Sequence, residues 1–337
     1  MKKAMALLAC VASVAGAQAQ SNVQLMGLAD AYVGSMRLAG DAKHSNVVGT
    51  SGMTTSWWGM KGTEDLGGGL KANFAFTGFM RMTTGAAGRF DGDTPFSRDA
   101  NISLSGAFGT VLAGRGLAPN FLPTVAFNPI GDSFTFSPLV LHNNQNLSGG
   151  RFTRNNPSDT GWSSQVLYTT PDISGLKANI HYQLAGVAGK KDVGANLMYF
   201  SGPVGLTAYY ERDQLTNPTV AAFADGSTKT VWMVGGSYDA GVVKAFATMG
   251  ESKTNLSATK QKTYSLGASV PMSANGKVLA GYANSKVNVS GAKRQTFTVG
   301  YDHFLSKRTD VYAMVMSDKI TGQTSGTSVG VGIRHRF

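Results

Sequence analysis

The residues of this 337-residue chain best suited to acid–base or metal chemistry are its five histidines. Their spacing supports neither role. His44, His142, His181, His303 and His335 stand far apart, without the close pairing that puts two ligands on one metal. Cys10 is the only cysteine, so no thiolate cluster can form. Gly67-Gly68-Gly69 lacks the Lys-Ser or Lys-Thr that completes a phosphate-binding loop, so it reads as a turn. No nucleophile elbow of the Gly-x-Ser-x-Gly kind is expected. The reading is therefore of a non-enzyme without cofactor or metal. The remaining chemistry is that of charge: 30 Lys and Arg against 19 Asp and Glu, a net +11. Cations on a wall can set a field for passing ions without reacting with anything.

The elements that would carry such a field are strands. From Leu70, the alternate residues Ala72, Phe74, Phe76, Gly78, Met80 and Met82 share one face. Lys71, Asn73, Ala75, Thr77, Phe79 and Arg81 share the other. At the end of the chain, Val329, Val331, Ile333, His335 and Phe337 alternate with Ser328, Gly330, Gly332, Arg334 and Arg336. The hydrophobic content is 42% and there are 43 glycines, yet no uninterrupted apolar run is long enough for a spanning helix. Apolar residues dispersed by alternation are the signature of a membrane β-barrel. The pattern predicts sixteen antiparallel strands, the second at 53–62 and the fourth at 96–107. An even number brings the first and last strands together for closure.

Connections come in two lengths, short turns such as Ser273-Ala274-Asn275-Gly276 and long polar loops such as Ser35 to Gly52 and Thr83 to Pro95. One is far longer. Residues 117–159 hold five prolines together with Phe121, Val125, Phe127, Phe134, Phe136 and Leu139. So many apolar groups call for packing, and the place for it is the barrel interior. Residues 1–19 read as a cleaved leader: Lys2 and Lys3, a short apolar run, then Ala17-Gln18-Ala19. The expected barrel domain is 20–337. The basic balance invites a nucleic-acid reading, but the leader and the alternation argue against it.

Several stretches resemble the trimeric general-diffusion porins of Gram-negative bacteria, of the Burkholderiales and Neisseria type. Val23-Gln24-Leu25-Met26-Gly27-Leu28-Ala29-Asp30-Ala31 is similar to that family's first strand. Trp58-Gly59-Met60-Lys61-Gly62-Thr63-Glu64-Asp65-Leu66-Gly67-Gly68-Gly69-Leu70 is similar to its second strand and first turn. Phe96-Ser97-Arg98-Asp99-Ala100, Gly109-Thr110-Val111-Leu112-Ala113-Gly114-Arg115 and the ending Val331-Gly332-Ile333-Arg334-His335-Arg336-Phe337 continue the match in order. The resemblance implies a homotrimer in outer-membrane lipid and a third loop folded into the lumen as the constriction. It also implies passage of small hydrophilic solutes, and a terminal Phe337 that the barrel assembly machinery reads. A solute-specific channel for a sugar, phosphate or organic anion is the alternative on the same barrel.

The resemblance also assigns the pore residues. Arg98 matches a wall arginine, although parity with Ile102 and Leu104 points it outward unless the strand is interrupted. Arg151 or Arg154, where the loop rejoins the wall, matches another, and Arg37 is a weaker candidate. Arg81 faces the lumen by parity alone. Two departures stand out. Trp57 occupies a place where the family usually has arginine, and between Leu117 and Asn156 the only carboxylate is Asp132. Together these imply a cationic wall that favours anions modestly. Arg115 matches a residue near the trimer contact that receives a neighbour's loop, with Asp91 or Asp93 as acceptors. An ion pair within one subunit is the other reading.

Overall fold

The computed structural model describes residues 22–143, 160–184, 191–214, 228–255 and 258–337. The segment read as a leader, and Arg151 and Arg154, lie outside them. The described chain is one antiparallel sheet closed on itself. Its strands are β1 Asn22–Met36, β2 Ser45–Thr50, β3 Trp57–Gly67, β4 Leu70–Phe79, β5 Asp99–Gly106, β6 Gly109–Leu117, β7 Gly161–Thr169, β8 Leu176–Gln183 and β9 Val193–Ser201. They continue with β10 Val204–Gln214, β11 Thr228–Asp239, β12 Lys244–Thr254, β13 Lys260–Pro271, β14 Gly276–Val287, β15 Lys293–Phe304, β16 Thr309–Ile320 and β17 Gly326–Arg336.

Seventeen strands make sixteen staves, because β2 and β3 share one place. Both lie on the same side of β1, β3 along Asn22–Leu28 and β2 along Ala31–Met36. On its other side β1 pairs with β17 from Leu28↔Arg336 to Ser35↔Val329, which closes the barrel. Phe337 completes the seam: its N–H donates to the Gly27 carbonyl at 3.1 Å, and the Gly27 N–H donates back at 3.0 Å. Closure matters because hydrocarbon offers no partner to a free strand edge.

Alternation sets which face is which. On β17 the exposed Val329, Val331 and Ile333 point outward, while Ser328, Gly330 and Arg334 are buried inside. Of the aromatic residues that could ring the outer wall, Tyr210 and Tyr238 are exposed there, whereas Trp162 and Tyr209 are buried. Short turns gather at one end of the barrel, and one of the tightest joins β3 to β4. Gly67, Gly68 and Gly69 all have positive φ there, of 84°, 59° and 81°, which a side chain would resist. Long connections gather at the other end.

The expected second strand differs in detail. Residues 53–56 are not strand, and the stave breaks at 51–56 between β2 and β3. The cause is Asp30, which faces inward from β1 and is fully buried. Its carboxylate accepts the N–H groups of Gly52 (3.0 Å), Met53 (2.8 Å) and Thr54 (2.8 Å), and the Tyr312 hydroxyl at 2.6 Å. A carboxylate with four donors outcompetes the ladder and draws the peptide into the lumen. Ser51, at φ 65°, turns the corner.

The chain after β6 also enters the barrel. It contains two short helices, α1 Phe121–Ala126 and α2 Pro138–Asn143. Ile130 and Phe136 pack with Tyr32, Met53, Leu279, Tyr312, Met314 and Met316 in a core between loop and wall. Leu139 forms a second core with Tyr209, Val231 and Met233. Fully burying each such side chain contributes roughly 1.5–3 kcal/mol. Wall glycines make the approach possible: Pro129 sits on Gly267, Ile130 and Pro138 on Gly281, and Phe136 on Gly330.

Candidate functional site

Among the described residues, the inserted segment is tied to one side of the lumen. Its N–H at Asn120 donates to Glu211, and Asn196 donates to the Pro119 carbonyl. Ser133 and Thr135 donate to the carbonyls of Gly52 and Ser51. Thr298 donates to the Phe136 carbonyl at 2.7 Å. His142 is buried between the hydroxyls of Ser285 and Thr296, each at 2.8 Å. These ties lead to β9, β10, β14, β15 and the 51–54 segment. The side of the lumen left facing them is walled by β3–β8.

On that free wall Arg98 is the central cation. β5 begins only at Asp99, because the chain bends at Ser97-Arg98, so strand parity does not govern Arg98. Its guanidinium lies over the inward-facing Trp57 ring at 4.1 Å from the centroid. It also donates to Asp99 at 2.7 Å and to the Thr77 hydroxyl at 3.3 Å, while Thr77 itself donates to Asp99 at 2.6 Å. Trp57, where the family usually has a cation, thus serves as the platform for one. Below it on the inner face, Lys61 of β3 and Lys71 of β4 alternate with outward Met60 and Ala72.

Across from Arg98, the inserted segment presents Asp132. Arg334 donates to the Thr54 hydroxyl at 2.8 Å, and that hydroxyl donates to Asp132 at 2.8 Å. Burial holds the Asp132 carboxyl above the usual carboxylate range, against the pull of Thr54, Arg334 and Arg98. It therefore loses its negative charge at a higher pH than an exposed aspartate does.

Other cations are matched by carboxylates on the wall itself, which the sequence reading, looking for them on the loop, did not anticipate. Arg334 meets Asp310 at 3.0 Å, Arg294 meets Asp318 at 2.9 Å, and Lys229 meets Asp213 at 3.7 Å. All three cations are buried. They hold the scaffold and do not line the water path.

The remaining expected site residues fall elsewhere. β4 ends at Phe79, so Arg81 lies in the β4–β5 connection, with its guanidinium on Asp91 at 2.7 Å. Asp93 is held by Arg89 of the same connection at 2.8 Å, and the neighbouring guanidinium keeps its carboxyl below the usual range. Arg115 donates to the Ser97 carbonyl at 2.6 Å and to Ser163 at 2.9 Å within its own subunit. Arg37 donates to the Asp41 carbonyl. Sequence reasoning missed Asp30 and Thr54. The available signal was an aspartate whose neighbours in the first strand, from Leu25 to Ala29, are apolar or small. It also passed over Gly326-Thr327-Ser328-Val329-Gly330, which spells Gly-x-Ser-x-Gly. That stretch runs straight in β17, and Ser328 is bonded to Arg37, so no elbow exists. Among the described residues no group of His, Cys, Asp and Glu is placed to hold a metal.

A closed sixteen-stave barrel with an inward third loop and a charged gap beside it is the architecture of a porin. Residues 4–323 match the family model for Gram-negative porins, and the chain belongs to that family. It is 31% identical to outer membrane porin protein 32 of Delftia acidovorans over the whole of both chains. Its structure is similar to the anion-selective porin from Comamonas acidovorans, with 28% identity and a TM-score of 0.79 over 94% of this chain and 100% of that one. A loop-deletion mutant of OmpT from Vibrio cholerae shares the fold alone, at 15% identity and a TM-score of 0.72 over 94% of this chain and 99% of that one. The chain is an outer-membrane porin.

Proposed function

We propose that this porin is a passive, modestly anion-preferring diffusion channel, working as a homotrimer and catalysing nothing. The observation that carries the reading is the charge facing the open side of the lumen. Arg98, Lys61, Lys71 and Lys177 stand on the free wall, with Asp99 beside Arg98 and Asp65 opposite Lys71, and the described part of the loop offers Asp132 alone. A fixed positive excess in a narrow, poorly screened gap raises the local concentration of anions. The kinship with an anion-selective porin points the same way.

Two further expectations join this reading. Phe337, exposed on the outer wall at the seam, fits a terminal signal for the assembly machinery. The outward face of β1 and β3–β5, with exposed Leu25, Val33, Trp58, Phe76 and Ile102, fits contact with other subunits. Swelling of liposomes carrying the protein tests the pore directly. Rates should rise linearly with the concentration of small sugars and fall with their size. Saturation by one solute, with block of ion current by it, would replace the general pore with a solute-specific one.

A further inference from the structure

One apolar side chain faces the water of the lumen without being covered by the loop. Phe200 of β9 takes an inward position: Gly194, Asn196 and Met198 precede it on the inner face, and the outward Leu197 and Tyr199 alternate with them. In the described strands the other strongly exposed large hydrophobics occupy outward positions, where lipid covers them. Phe200 is 45% exposed on the water side.

Its neighbours give the ring room to lie along the wall. The Phe200 N–H donates to the Gly175 carbonyl at 3.0 Å, and Gly205 stands opposite on β10. Neither glycine has a side chain to crowd the ring. It leans over Gly205, where a Cβ would come within 3.0 Å of it. Phe127 of the inserted segment, itself fully buried, stacks on it with centroids 5.5 Å apart and planes 22° apart. Phe200, Phe127 and the half-buried Met198 form an apolar shelf at the short-turn end of the lumen. A ring that is stacked on one side and wet on the other offers a place to a further flat ring.

A cation stands beside the shelf. Lys177 of β8 faces inward with Asn179 and His181, and lies directly opposite Met198. Phe200 is thus its diagonal neighbour, at roughly 7–8 Å, a distance that long side chains span. Among the described residues its charged partner is Asp172, at 3.8 Å, and both side chains are more than half exposed. Such a pair is loose and screened, so the ammonium stays available to an anion. A neutral arene would use the ring alone and an aliphatic acid the lysine alone. A flat ring bearing a carboxylate uses both.

We propose that Phe200 and Lys177 form a binding site for aromatic carboxylates on the short-turn side of the constriction, the aryl ring stacked on Phe200 and the carboxylate against the Lys177 ammonium. The site rests on the open diffusion path read above. It holds one class of solute briefly and leaves the path open to others, so the swelling rates for small sugars stay linear.

The test records single channels of the purified full chain in a planar bilayer, with 2-naphthoate as probe. Its saturated counterpart, decahydro-2-naphthoate, and neutral 2-naphthylmethanol are the comparisons. 2-Naphthoate should interrupt the current saturably. The saturated acid should bind roughly three- to tenfold more weakly, the worth of one aromatic stack. Phe200→Leu should weaken 2-naphthoate by the same factor and abolish the difference between the two acids. Lys177→Gln should weaken 2-naphthoate and leave 2-naphthylmethanol as it was, a comparison within one variant that holds even where Phe200→Leu disturbs Phe127. Steady current that 2-naphthoate does not interrupt would overturn the site alone, whereas no steady current would overturn the diffusion path and the site with it. Equal affinity for the two acids would also overturn the proposal, as would unchanged block in Phe200→Leu or an equal fall for both aromatic probes in Lys177→Gln. Block lost in Arg98→Gln but kept in Phe200→Leu would overturn it and put the ligand at Arg98.

Discussion

Replacing Asp30 with alanine should unlock the constriction without opening the barrel. The carboxylate holds three backbone N–H groups and the Tyr312 hydroxyl, at 2.6–3.0 Å, in a fully buried setting. Each bond to a buried charge contributes roughly 1.5–3 kcal/mol. Backbone relaxation and entering water recover part of that, leaving a net loss of roughly 3–5 kcal/mol. The local consequence is more specific than the stability loss. Residues 51–54 are where Ser133, Thr135 and Asp132 tie the inserted loop to the wall. With that segment released, the described middle of the loop keeps its apolar cores, the Thr298 bond to the Phe136 carbonyl and the His142 anchor. Single-channel recordings of Asp30→Ala should show a larger, noisier conductance, and its thermal midpoint should fall. Asp30→Asn, which keeps the shape but loses the charge, should lie between. A quiet, unchanged conductance with a stability loss under about 1 kcal/mol would refute the chain of support from Asp30 to the loop.

Arg98→Gln should shift the reversal potential toward cations, because Asp99 and Asp132 then face the gap with less opposing charge; a planar bilayer under a salt gradient reads this. Gly330→Ile should push Phe136 out of its seat, since even a Cβ at that glycine would come within 2.8 Å of the ring. Overpacking of this kind costs roughly 1–3 kcal/mol, and thermal melting and conductance should both change. Acid should loosen the loop through His142, whose pKa burial lowers from 6.5 to about 3, helped by Arg294 and opposed by Asp318. The neutral ring is favoured in the folded state, so its contribution is whole above pH 6.5 and declines as pH falls toward 3. By pH 4 the loss for this group reaches roughly 3 kcal/mol. His142→Gln should flatten the acid dependence of conductance between pH 7 and 4; an unchanged dependence would assign it to other groups.

Period-two alternation made the barrel legible, because lipid outside and water inside impose opposite demands on neighbouring residues. On β4 and β17 the faces read from sequence are those of the structure. The inward loop was legible for a related reason: Phe127, Phe136 and Leu139 needed burial and had no strand to supply it. The failures of detail cluster where a side chain overrides the ladder. Asp30 breaks the second stave, and the bend at Ser97-Arg98 turns a residue inward that parity sends outward. Charge pairing was less legible still. Arg294 and Asp318 are 24 positions apart and meet only through the register of β15 and β16. Nothing short of that register separates cations committed to the scaffold from those left facing water.

The anion preference rests on one condition, that the open side of the lumen is positive. Its most direct test is the zero-current potential of the purified protein in a planar bilayer under a KCl gradient. Stepwise, stable conductance is expected, with a potential whose sign reports chloride passing more readily than potassium. A potential of the opposite sign would contradict it, and would mean that Asp65, Asp99 and Asp132 outweigh Arg98, Lys61, Lys71 and Lys177 in the gap.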